Sequence, residues 1–151
     1  MKLEVRIDAR EMNKYIREGG QLLFDIAWID NGLYYPMDPW LDFGILVLGW
    51  WTNAILSMIS GGEDTIKLSF MDGPYYLMMT IDRTSQEVTF SGENGRTFEA
   101  KSSIDEVRNQ VIAAARFIDG ELSKHHLLNT DRESLAWCIK SLSQPTNLPK
   151  K

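Results

Sequence analysis

From residue 2 to residue 7, apolar Leu3, Val5 and Ile7 alternate with charged Lys2, Glu4 and Arg6, the period of a strand with one buried face. Asp8 and Glu11 then have the spacing of a helix start. The helix they predict runs through Met12, Tyr15 and Ile16 and stops at Gly19-Gly20. A second strand is expected from Leu22 to Ile29, ending at the turn dipeptide Asn31-Gly32. Phe43 to Gly62 carries no charge and has about the length of a membrane span. Its flanks are acidic, with no Lys or Arg anchor, and Gly44, Gly49, Thr52, Asn53, Ser57 and Ser60 interrupt it. It therefore reads as a buried helix, capped by Asp38 or Asp42 with Pro39 in its first turn, and stopped by Gly61. Trp50 and Trp51 cannot face the same way on a helix, so at least one belongs to the core.

The stretch FMDGPYYLMM, Phe70 to Met79, predicts a hairpin whose turn is not the tightest one. In a two-residue Asp72-Gly73 turn, residue 74 would donate its N–H, and Pro74 has none. A four-residue loop, Met71 to Pro74, instead pairs Phe70 with Tyr75, Leu68 with Leu77 and Ile66 with Met79 on one apolar face. Lys67, Ser69, Tyr76, Met78 and Thr80 fall on the other face. A loop over Arg83 to Gln86 continues the meander, with Ile81 opposite Val88 and Met79 opposite Phe90. For the last hairpin, the loop Glu93-Asn94-Gly95 with left-handed Gly95 sets Phe90 opposite Phe98 and Val88 opposite Ala100.

Ser103 and Glu106 form a capping box for a helix whose Val107, Val111, Ala114, Ala115, Ile118 and Leu122 make one stripe, ending near Lys124. Thr130 and Glu133 open another, with Leu135, Cys138, Ile139 and Leu142 on a shared face. The expected class is α+β, an antiparallel meander sheet with helices mainly on one face. The expected organisation is one domain over residues 1–143 and a loose tail over 144–151.

Composition adds exclusions. The single Cys138 leaves no internal disulfide or thiolate cluster, and its place on an apolar stripe suggests an inert buried thiol. No phosphate loop, dinucleotide fingerprint, HExxH or GxSxG is present. His125-His126 at a helix end favours the helix dipole rather than metal ligation, so no metal or cofactor is expected. The N-terminus has neither the apolar run of a secretory signal nor the bias of a transit peptide, which makes the cytoplasm the expected compartment.

The net charge of −5 is unevenly spread. From Glu18 to Asp82 there are nine acidic residues and one basic, Lys67, a net of −8, so the remainder of the chain is +3. The same span holds eight of the ten Trp and Tyr residues: Trp28, Tyr34, Tyr35, Trp40, Trp50, Trp51, Tyr75 and Tyr76. A single-sign field speeds encounter with an opposite charge and repels phosphate, which disfavours nucleic acid and acidic membranes as partners. Aromatic side chains anchor protein interfaces. Asp30, Asp38, Asp42 and Asp72 could alternatively furnish an acid and a base, although Asp72 suits a turn and Asp38 and Asp42 suit helix caps.

With its size, acidity, α+β pattern and the stretches PWLDFGILVLGWW and FMDGPYY, the chain resembles the small acidic immunity proteins of bacterial polymorphic-toxin and contact-dependent inhibition systems. That resemblance implies a non-enzymatic cytoplasmic protein that binds and neutralises a toxin domain, often a basic nuclease. A small enzyme with paired carboxylates, or a ligand-binding or oligomeric scaffold, stays open beside it. The partner surface expected from the residues joins the Met71 to Pro74 loop to the Asp30 to Asp42 segment. Asp38, Asp42, Asp64 and Asp72 would steer a basic partner, and Tyr34, Tyr35, Trp40 and Tyr76 would anchor it.

Overall fold

The computed structural model describes residues 1–127 and 129–144. The expected tail lies outside them, apart from Gln144. The chain runs β1 (Lys2–Arg6), α1 (Ala9–Glu18), β2 (Phe24–Asp30), β3 (Leu33–Tyr35), β4 (Leu41–Asp42), α2 (Gly44–Ile59), β5 (Thr65–Ser69), β6 (Tyr76–Asp82), β7 (Glu87–Glu93), β8 (Thr97–Ser103), α3 (Ile104–Lys124) and α4 (Thr130–Leu142). This is an α+β fold with two antiparallel four-stranded sheets. In the first, β1 lies on one side of β2, while β3 and β4 pair with opposite ends of its other side. The second is the meander β5-β6-β7-β8.

Local signals explain most of these elements. The Asp8 side chain accepts the Arg10 N–H at the start of α1, and Gly19, at φ 72°, closes it. Asn31 (φ 49°) and Gly32 (φ 77°) make the reversal between β2 and β3, a turn that requires positive φ twice. Ser103 accepts the Glu106 N–H, and every residue of the predicted α3 stripe is buried.

The two other helix starts differ from expectation. Neither Asp38 nor Asp42 is the N-cap of α2. Phe43 holds that position without a side-chain cap, and Pro39 lies in the preceding loop. Asn129, rather than Thr130, caps α4 by accepting the Arg132 N–H. At the far end of α2, Gly61 (φ 88°) ends the helix as expected. There the buried Arg83 donates to the carbonyls of Met58 and Glu63 and to Asp64, tying the helix end to the meander.

The predicted meander register holds at Ile66–Met79, Leu68–Leu77, Met79–Phe90 and Ile81–Val88. Phe70 N–H donates to the Tyr75 carbonyl at 3.1 Å across the wide loop. The last hairpin corrects the prediction, because Phe90 pairs with Ala100, Val88 with Ser102 and Phe98 with Gly92. Its loop is Asn94-Gly95-Arg96, one residue later than expected, with Gly95 at φ 95°. The parity is unchanged, so Phe90, Phe98 and Ala100 still face the core. Tyr35 of β3 and Leu77 of β6 occupy the space beside Gly92, where a Cβ would come within 2.7 Å of both.

Both sheets and all four helices contribute to one hydrophobic core. Helix α2 lies between β5 and α4, and α3 packs on β1 and α4. Two-sided packing accounts for a helix that is apolar nearly all round. Trp51 is 0 % exposed and Trp50 is 40 % exposed, the division their adjacency requires. Among the described residues no helix is long and apolar enough to cross a membrane.

Candidate functional site

The loop forced open by Pro74 leaves backbone donors that no tight turn satisfies, and β4 supplies the acceptor. Asp42 is 0 % exposed. Its carboxylate accepts the Phe43 N–H at 2.7 Å, the Trp40 Nε1–H at 2.9 Å, the Met71 N–H at 3.1 Å and the Asp72 N–H at 3.2 Å. Four donors around one carboxylate offset its loss of water and fix the loop against the first sheet. The Trp40 ring completes the lock, standing edge-on to Tyr75 at 5.3 Å and to Phe70 at 6.3 Å. Gly73 passes so close that a Cβ there would sit 2.9 Å from the Trp40 ring.

A second tie is Tyr35, 1 % exposed. Its hydroxyl donates to the Tyr76 carbonyl at 2.7 Å and accepts the Tyr76 N–H at 3.0 Å, so β3 of one sheet holds the first residue of β6 in the other. Burial is the main cause that raises the phenol's pKa.

Held in this way, the loop shows solvent the side chains of Met71 and Asp72, with Tyr76 beside them and Met37 and Leu41 also exposed. Pro74, Tyr76, Met78, Ser91 and Glu93 line a crevice of about 310 Å³ next to it. Lys67 Nζ lies 4.6 Å from the centre of the Tyr76 ring, so one aromatic face already carries a cation.

The expected partner surface is therefore only partly assembled. Asp72 and Tyr76 are exposed at the loop, and half-buried Trp40 braces it. Tyr35 and Asp42 are corrections, since both are interior and hold the loop rather than meet a partner. Asp64 stands apart, because the length of β5 separates it from the loop; its exposed carboxylate pairs with Arg83 at 2.6 Å. Asp38 and Tyr34 form a separate group on the first sheet. Asp38 binds Arg6 there, and desolvation, then the nearby charges of Glu4 and Asp38, raises the Tyr34 pKa.

The acidic excess of residues 18–82 is thus largely spent within the fold. Asp30 meets the N-terminal amine at 3.6 Å, Asp25 and Asp38 meet Arg6, and the Asp82 carboxylate accepts the Thr84 N–H. Among the described residues no group of three or more His, Cys, Asp or Glu could hold a metal ion. Cys138 is buried, which raises its thiol pKa, as expected for an inert thiol.

Sequence reasoning missed a second meeting of aromatics and acids. Between α2 and α4 lies a groove of about 570 Å³, lined among others by Leu46, Gly49, Trp50, Asp131, Glu133 and Trp137. Trp137 lies off the buried stripe of α4, as Trp50 lies off the packed faces of α2, and that mismatch was the available signal. No protein-family model, curated protein or solved structure matches the chain.

Proposed function

We propose that this protein is a non-enzymatic binding protein that recognises a basic protein domain through the β5–β6 loop, acting in the cytoplasm in the manner of a toxin-neutralising immunity protein. The observation that carries the reading is the lock on the loop. A buried carboxylate and a Trp wedge hold four residues still while Met71, Asp72 and Tyr76 remain exposed. Such preorganisation lowers the ordering cost of association, and exposed Met and Tyr on a fixed support are the side chains that anchor interfaces. Paired-carboxylate catalysis finds less support, because the enclosed Asp42 has its oxygens occupied by backbone and indole donors.

The test is affinity capture from an extract of the native host at low salt, with wild type and the Tyr76→Ala and Asp72→Lys variants immobilised in parallel. Circular dichroism first checks that each variant is folded. The proposal expects a protein that wild type retains and Tyr76→Ala loses, with reduced retention by Asp72→Lys. Capture of nothing specific, or equal capture by all three chains, would overturn it.

A further inference from the structure

The α2–α4 groove joins two indoles to two carboxylates. Trp50 from α2 and Trp137 from α4 are 40 % and 42 % exposed, and Leu46 beside them is also exposed. Asp131 and Glu133, from the first turn of α4, complete the lining with neutral Gln21, Asn53, Thr130 and Ser134, and no Lys, Arg or His among the described residues takes part. Acids in a first helical turn suit the helix dipole, which accounts for residues 131 and 133 but not for two large indoles left in solvent beside them. The neighbouring Arg132 turns to Asp119, at 2.8 Å, instead of to the groove's carboxylates. Asp131 accepts a hydrogen bond from the Tyr15 hydroxyl, which positions the carboxylate.

Gly49 lines the groove from the middle of α2. A helical glycine costs about 1 kcal/mol relative to alanine, and here no packing demands it, since a Cβ would meet nothing within 4 Å. Its effect is to leave open the space between the two helices.

We infer that this groove binds an arginine side chain presented by a basic segment of another protein. A guanidinium stacks on an indole face and donates planar hydrogen bonds to carboxylates, so it satisfies both halves of the lining with one group. Charge complementarity selects the occupant: an acidic segment would be repelled, and a purely apolar one would desolvate the carboxylates of Asp131 and Glu133 with no compensating cation. The site is independent of the β5–β6 loop, so either proposal can fail without the other.

The experiment follows the indole N–H resonances of the ¹⁵N-labelled full chain while a tetra-arginine peptide is added, with tetraglutamate as control. The Trp50 and Trp137 resonances should move together along one saturating curve, while those of buried Trp28 and Trp51 stay in place. Glu133→Gln combined with Asp131→Asn, which keeps an acceptor for Tyr15, should weaken binding about tenfold. Gly49→Leu, whose Cβ meets nothing within 4 Å, places a side chain toward the groove, and once circular dichroism shows it folded it should abolish the shifts. The inference is overturned if the two indoles do not respond to tetra-arginine, if tetraglutamate moves them equally, or if Gly49→Leu binds like wild type.

Discussion

Around Asp42 the aromatic and acidic side chains face one another, whereas in the α2–α4 groove Trp50, Trp137 and Glu133 face solvent. At the loop, the carboxylate with the most hydrogen bonds is the least exposed, and the Trp beside it is a wedge. In the groove, both indoles lie outside the core and no Lys, Arg or His among the described residues joins the lining. The same residue types thus do architectural work in one place and are displayed in the other. Charge density along a sequence does not measure the field at a surface, because a fold consumes acids as hydrogen-bond acceptors and ion-pair partners before it displays any.

Substitutions should separate these two uses. The largest effect is expected for Trp51→Ala, which removes a wholly buried ring and the 2.8 Å hydrogen bond from its indole to the Ser69 carbonyl. A loss of about 3 to 5 kcal/mol in urea unfolding should result, against less than about 1 kcal/mol for Trp50→Ala next to it. Asp42→Ala should follow, costing about 3 kcal/mol because the Met71 and Asp72 N–H groups lose their acceptor, while Glu133→Ala stays within about 0.5 kcal/mol. Equal effects at residues 42 and 133 would erase the distinction between the two regions.

Gly92→Ala probes the joint between the sheets. Its methyl would meet Tyr35 and Leu77, and a loss of about 1 to 3 kcal/mol is expected, with weaker amide protection at Tyr76 as Tyr35 shifts. The smallest effect concerns pH. Burial, reinforced by the hydrogen bond to Asp131, raises the Tyr15 phenol from 10.0 to about 12. The folded state then keeps its proton where the unfolded chain has lost it, so this contribution is full below pH 10 and disappears as pH rises toward 12. The unfolding midpoint should fall less steeply over that window in Tyr15→Phe than in wild type.

Much of the fold was legible from local pattern. The Leu3–Ile7 alternation, the Ser103 cap, the α3 stripe and the wide loop at Pro74 each rest on residues close in sequence. The last hairpin register was not, because loops over residues 93–95 and 94–96 both keep Phe90, Phe98 and Ala100 on the core face, so alternation does not choose between them. Helix capping misled for a different reason. Asp42 has the composition and position of a cap, yet its carboxylate turns toward a loop 30 residues away. At the candidate site, the exposure of Asp72 followed from the missing Pro74 N–H, whereas the burial of Tyr35 depends on a second sheet that alternation alone does not place. The groove went unread because its lining joins residues of α2 to residues of α4 across the packed core.

On the proposal above, the locked loop is a recognition surface whose charge guides encounter and whose aromatic holds the complex. It is tested most directly by the association and dissociation rates of the captured partner with wild type, Asp72→Lys and Tyr76→Ala across a range of ionic strength. Rim charges act chiefly on association and buried anchors on dissociation. Wild-type association should slow with salt, Asp72→Lys should associate more slowly with a flatter salt dependence, and Tyr76→Ala should dissociate faster. Rates that are the same for all three folded chains at every ionic strength would contradict it.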